Sequence, residues 1–135
     1  MTLSALNPPG AKWPGVSMAV IDRERGVLVS TGHVGTGADG NPVTSSVEDQ
    51  VVALFENLKR TLAEAGLGFA HVARMTSYIK SYDPEFMATF RAVRLRYFNA
   101  DCPPASSAQQ MCVASGCWAH SCCTTAWALA RSATG

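Results

Sequence analysis

The sequence predicts one α+β domain of order ββαβαββ, with two helices on one face of a mixed sheet. Three observations predict it. The chain has 135 residues and no internal repeat, which suits a single core. Apolar and β-branched runs of strand length alternate with two longer stretches whose apolar residues recur every three or four positions. Hydrophobic residues make up 47% of the chain against 16% charged, more apolar surface than one small core needs. The sheet face away from the helices is therefore expected to be covered by other copies of the chain.

Taken in order, residues 1–15, with Pro8, Pro9, Gly10, Pro14 and Gly15, read as an irregular arm. The domain proper runs from 16 to 130, and 131–135 is a C-terminal tail. Val16 to Ile21 and Val27 to Thr31 are strands joined by the polar turn Asp22-Arg23-Glu24-Arg25-Gly26. Gly32 to Asn41 contains four glycines and an Asp39-Gly40 pair, and reads as a loop. Ser45 or Ser46 caps a helix whose apolar stripe is Val47, Val51, Leu54, Phe55, Leu58 and Leu62, ending at Gly66. Val72 to Ile79 is a strand. Asp83 caps a second helix with Pro84 in its first turn, and Phe86, Phe90, Val93 and Tyr97 form its stripe up to Cys102-Pro103-Pro104. Two further strands are expected at about 107–113 and 122–130.

Eleven basic and ten acidic residues leave a net charge of +1 without a basic run, which speaks against nucleic acid as a partner. No apolar run approaches the length of a bilayer span and the N-terminus has no leader pattern, so neither membrane nor export is expected, and the cytoplasm is the expected location. All five cysteines fall between 102 and 123, an odd number that reads as reduced thiols.

Val27-Leu28-Val29-Ser30-Thr31-Gly32-His33-Val34, then Asp39-Gly40, Gln50, Asn57-Leu58, Leu62-Ala63-Glu64-Ala65-Gly66 and Val72 to Tyr78 together resemble the RidA/YjgF family of enamine and imine deaminases, formerly called endoribonuclease L-PSP-like. Phe98 and Pro104-Ala105 extend the resemblance, which covers about 16 to 130. It implies a chorismate-mutase-like fold, a homotrimer with a central barrel, and small-molecule clefts between subunits. It also implies cofactor-independent hydrolysis of reactive enamines or imines such as 2-aminoacrylate. An arginine that binds the substrate carboxylate and a glutamate that positions water are part of that pattern. Here those positions fall on Ser106 and Cys123, so the chain reads as a divergent member whose ligand is more apolar than 2-aminoacrylate. A non-catalytic small-molecule or partner binding module on the same scaffold is the alternative.

His33 is a proton shuttle at the cleft mouth, or a loop histidine bonded to backbone. Cys123 is a nucleophile if its thiol is activated, and otherwise a buried inert thiol. Thr31, Gly32, Phe90, Ser106 and Ser107 are the ligand-binding candidates, the serines offering hydroxyls to a weakly polar ligand. Cys117, His120, Cys122 and Cys123 lack the paired spacing of a zinc site, so no metal is expected. Arg74 is assigned to an ion pair, and Trp118 and Trp127 to subunit packing. The stretch from Ala108 to Ser121 fits the family poorly.

Overall fold

The computed structural model describes residues 2–10, 13–80, 83–98, 105–109 and 122–129. Its elements are β1 (Leu3–Leu6), β2 (Ala19–Asp22), β3 (Val27–Ser30), β4 (His33–Val34), α1 (Val47–Ala63), β5 (Val72–Ile79), α2 (Pro84–Tyr97), β6 (Ala105–Gln109) and β7 (Cys122–Leu129). A turn of 3-10 helix, Phe69–His71, leads into β5. The expected order is present, with two strands added. Leu3–Leu6, expected within an irregular arm, pairs antiparallel with β2 from Leu3 opposite Asp22 to Leu6 opposite Ala19, which buries Leu6. The glycine-rich loop contributes β4, whose two residues pair with Thr124 and Cys123 of β7.

Local chemistry explains the boundaries. In the β2–β3 turn, Asp22 accepts from the backbone N–H groups of Glu24 and Arg25 at 3.0 Å and from the Arg25 guanidinium at 2.9 Å. Those bonds hold its carboxyl below the usual range. Gly26 closes the turn at φ 68°, where a Cβ would be strained. Ser46 caps α1 by accepting from the Asp49 N–H at 3.0 Å, and the chain leaves the helix through Gly66 at φ 71°. Asp83 caps α2 through the Phe86 N–H at 2.8 Å, with Pro84 in the first turn. Helix α2 ends at Tyr97, earlier than expected, because Phe98 turns to extended backbone. Residues 99–104 lie outside the described residues.

The described strands form one sheet in the order β1-β2-β3-β7-β5-β6, with β4 also pairing with β7. Only β5 and β6 run parallel among them; the other described pairings are antiparallel, so the sheet is mixed. Strand β7 is its hub, flanked by β3 and β4 on one side and β5 on the other. Both helices cover one face. There Ile21, Leu28, Met75, Ile79, Ala126 and Ala128 pack beneath Val51, Leu54, Phe55, Leu58 and Leu62 of α1 and Phe86, Met87, Phe90 and Val93 of α2. An aromatic cluster locks the helices together: the Phe55 ring stacks on Tyr97 at 5.1 Å between centroids and lies 5.9 Å from Phe90. On the opposite face, Val20, Val27 and Val29 are half-buried and Leu129 is 52% exposed.

Candidate functional site

The site begins with a strip of three residues, Thr31-Gly32-His33, between β3 and the end of β4. Pairing with β7 sets His33 opposite Thr124 and drives its ring under the sheet toward α1, where it is 1% exposed. A buried imidazole must satisfy both nitrogens. Nδ1 lies 3.1 Å from the Thr31 carbonyl oxygen, which can only accept, so this nitrogen carries the proton. Nε2 then accepts from the Thr61 hydroxyl at 2.8 Å. Thr61 is itself completely buried in α1. Burial pushes the imidazole down to about 4, against the smaller opposite pull of the Thr31 carbonyl, so the ring is neutral at neutral pH.

The Thr31 carbonyl also accepts from the Ser30 hydroxyl at 2.9 Å, while Ser30 Oγ accepts from the Ala126 N–H at 2.8 Å. The strip is thereby tied to β7 on one side and to α1 on the other. Beyond it, Asn57 of α1 closes the loop: its side-chain amide donates to the carbonyls of Val34 and Thr36 at 2.9 and 3.0 Å. Gly35 makes this approach possible, since a Cβ there would lie 2.3 Å from the backbone oxygen of Gln50. Asn57 Oδ1 accepts from the Arg60 guanidinium one turn along.

Between this strip, the loop and the N-terminal segment lies a cleft of about 440 Å³. Gly32, His33 and Thr36 line it from the loop, Asn57, Arg60 and Thr61 from α1, and Pro8, Trp13 and Met18 from the N-terminal side. Asp39 stands on the loop rim. Asn41 donates to it from both its side-chain amide and its backbone N–H at 3.0 Å, which holds the Asp39 carboxyl below the usual range. Among the described residues the cleft thus has one cation, one carboxylate, backbone polar groups and an apolar wall.

The sequence candidates divide. Gly32 and His33 line the cleft and Thr31 supplies the carbonyl that orients the ring. The expectation of a proton-shuttling His33 meets an imidazole with both nitrogens engaged and no charge to give. Phe90 is 3% exposed and packs against Phe86 and Phe55 in the core, and it is not among the described residues that line this cleft. Helical spacing aims it at the core stripe, where burial gains more than contact with a ligand would. Cys123 stands in register with Val34 and Tyr78 on β7, and Ser106 and Ser107 stand opposite Thr76 and Ser77 on β6. Cys117, His120, Trp118 and most of 108–121 lie outside the described residues.

Sequence reasoning passed over Asn57, Arg60 and Thr61 as site residues. A signal existed: Asn57 and Thr61 are polar residues one turn apart beside the buried Leu58 and Leu62, and a polar pair beside a core stripe needs partners.

A two-helix, mixed-sheet domain with a glycine-rich strip pinned to its first helix defines a class of small cleft-bearing protein. Within that class the model of the family described as endoribonuclease L-PSP matches residues 13–115, and the chain belongs to that family, the RidA/YjgF family. Solved structures share the fold. A probable translation initiation inhibitor from Rhodopseudomonas palustris superposes with a TM-score of 0.85 at 16% identity, covering 97% of this chain and 100% of that one. RidA from the Antarctic bacterium Psychrobacter gives 0.80 at 16% identity, covering 93% and 98%. Yeast Mmf1 gives 0.81 at 19% identity, covering 96% and 100%. No curated protein matches the chain in sequence. Among the described residues no helix is long and apolar enough to cross a membrane.

Proposed function

We propose that the protein hydrolyses a reactive enamine or imine more apolar than 2-aminoacrylate, without a cofactor, in the cleft bordered by Thr31-Gly32-His33. The observation that carries this reading is the double clamp on the strip and the loop that follows it, through His33 to Thr31 and Thr61 and through Asn57 to Val34 and Thr36. A rim fixed before the ligand arrives costs little ordering on binding and holds a ligand and a water in one geometry. Family membership supports the same chemistry. Water adds to the imine carbon, a proton passes to the nitrogen, and the carbinolamine collapses to a carbonyl and ammonia, so no electron acceptor is needed. An imine carbon is already electrophilic, and the site has more to do in positioning than in activation. In this scheme His33 is a positioning residue. Ser106, Ser107 and Cys123, which are not among the residues lining this cleft within one chain, are the candidates for contact with ligand and water from a neighbouring subunit.

The clefts work in a homotrimer. Support comes from the sheet face opposite the helices, where Leu3 and Leu129 are 55% and 52% exposed beside the half-buried Val27 and Val29.

A second reading, a non-catalytic binding module, draws on the neutral His33 with both nitrogens engaged, because that leaves the cleft without a free imidazole. Ammonia release separates the two. With imines generated in situ, release above buffer is expected, and faster for aryl- or branched-chain imines than for 2-aminoacrylate. Rates equal to buffer for every imine would defeat the hydrolase and leave the binding module.

A further inference from the structure

We propose that Arg60 and Trp13 form a ligand subsite for a small carboxylate with an apolar side chain, the guanidinium taking the carboxylate and the indole wall taking the side chain. This rests on the cleft of the proposed function being where the ligand sits, and it names what the ligand must carry.

Arg60 lies in the last turn of α1 and lines the cleft. Exposed arginines ordinarily sample many rotamers, and that freedom is lost when they grip an anion. Here one edge of the guanidinium is held by Asn57 Oδ1, and Asn57 cannot turn away because its amide is committed to Val34 and Thr36. The cation is therefore aimed before any ligand arrives. Among the described residues no carboxylate pairs with it: the ion pairs there are Arg25 with Asp22 and Arg96 with Glu48. Asp39, the carboxylate on the cleft rim, is engaged by Asn41 within its own loop. A guanidinium lining a cleft, with N–H groups left over from its bond to Asn57, matches a carboxylate's two oxygens.

The apolar half comes from the N-terminal segment. Trp13 is 49% exposed at the cleft, a large aromatic surface left open, with the buried Pro8 and Met18 beside it. An indole wall facing an oriented cation selects a ligand with a flat or branched apolar group next to its anion. A purely apolar ligand would strand Arg60, and a small carboxylate would leave Trp13 uncovered.

The test titrates the protein with phenylacetate and with its uncharged analogue phenylacetamide, following the Arg60 Nε–H and Trp13 indole N–H resonances by NMR. Phenylacetate is expected to shift both saturably and to bind at least about tenfold more tightly than phenylacetamide, a difference of about 1.4 kcal/mol. Arg60→Gln is expected to erase that preference without changing Tm, and Arg60→Lys to keep part of it, since an ammonium lacks the fork. No saturable shift with phenylacetate, or an Arg60→Gln variant that binds it as well as wild type, overturns the subsite. Ammonia release measured on the same samples keeps the two proposals apart. Turnover without phenylacetate binding overturns the subsite alone, and phenylacetate binding without turnover overturns the hydrolase alone.

Discussion

His33 ties the strip after β3 to α1, and its titration makes that connection measurable. The folded ring is held at about 4 by burial, whereas in the unfolded chain it takes up a proton near 6.5. Between those values the unfolded state binds more protons, so the contribution to stability is complete above pH 6.5 and is lost as the pH falls toward 4, on the order of 3 kcal/mol in all. Urea unfolding at a series of pH values is expected to show this loss, and His33→Gln to flatten that part of the curve. Asn57→Ala makes a different prediction. It orphans the Thr36 carbonyl, leaves the Val34 carbonyl with only the Thr36 N–H, and frees Arg60, so amide exchange should quicken across residues 35–42, with a stability loss of about 1–3 kcal/mol. The sequence marked His33 and Gly32 because they open a glycine-rich loop after a strand and fall on a ligand-proximal position of the family they resemble. It could not show that the imidazole points inward, since that depends on the two-residue pairing of His33 and Val34 with β7 about ninety positions away. Phe90 shows the converse: the spacing that identified it as part of a helical stripe also says where it goes, into the core.

The long elements were legible because each has both a pattern and punctuation. Helix α1 has its cap at Ser46, its stripe and its exit at Gly66; β5 matches its expected limits of Val72 and Ile79. The short ones carried too little pattern. Leu3–Leu6 is four residues next to two prolines, and β4 is two residues inside a glycine-rich stretch, so only their partners define them as strands. Two substitutions test this account of the elements by chemical denaturation. Ser46→Ala should cost about 1 kcal/mol through the lost cap, while Ser45→Ala, which gives up only an exposed bond to Asp49, should cost a few tenths. Gly35→Ala should be worse than either, on the order of 2–3 kcal/mol or more. Its Cβ would meet the backbone oxygen of Gln50 as well as its Cγ, and the backbone cannot move aside.

At the scale of the whole molecule, the surplus of apolar residues has a location. One face of the sheet is sealed by two helices, and the other leaves Leu3 and Leu129 more than half exposed, which accounts for a hydrophobic share that one core does not use up. Light scattering is expected to give a trimer mass, and an Asp substituted for Leu129 to shift it toward monomer. The functional claim is that a rim held in place by a neutral His33 supports hydrolysis by positioning. Its most direct test is the pH dependence of ammonia release from a phenyl-bearing imine between pH 5.5 and 8, with the buffer rate subtracted at each point. Release well above buffer, with no inflection near 6.5, is the predicted result. Release equal to buffer, or an inflection near 6.5 that disappears in the His33→Gln variant, would contradict it.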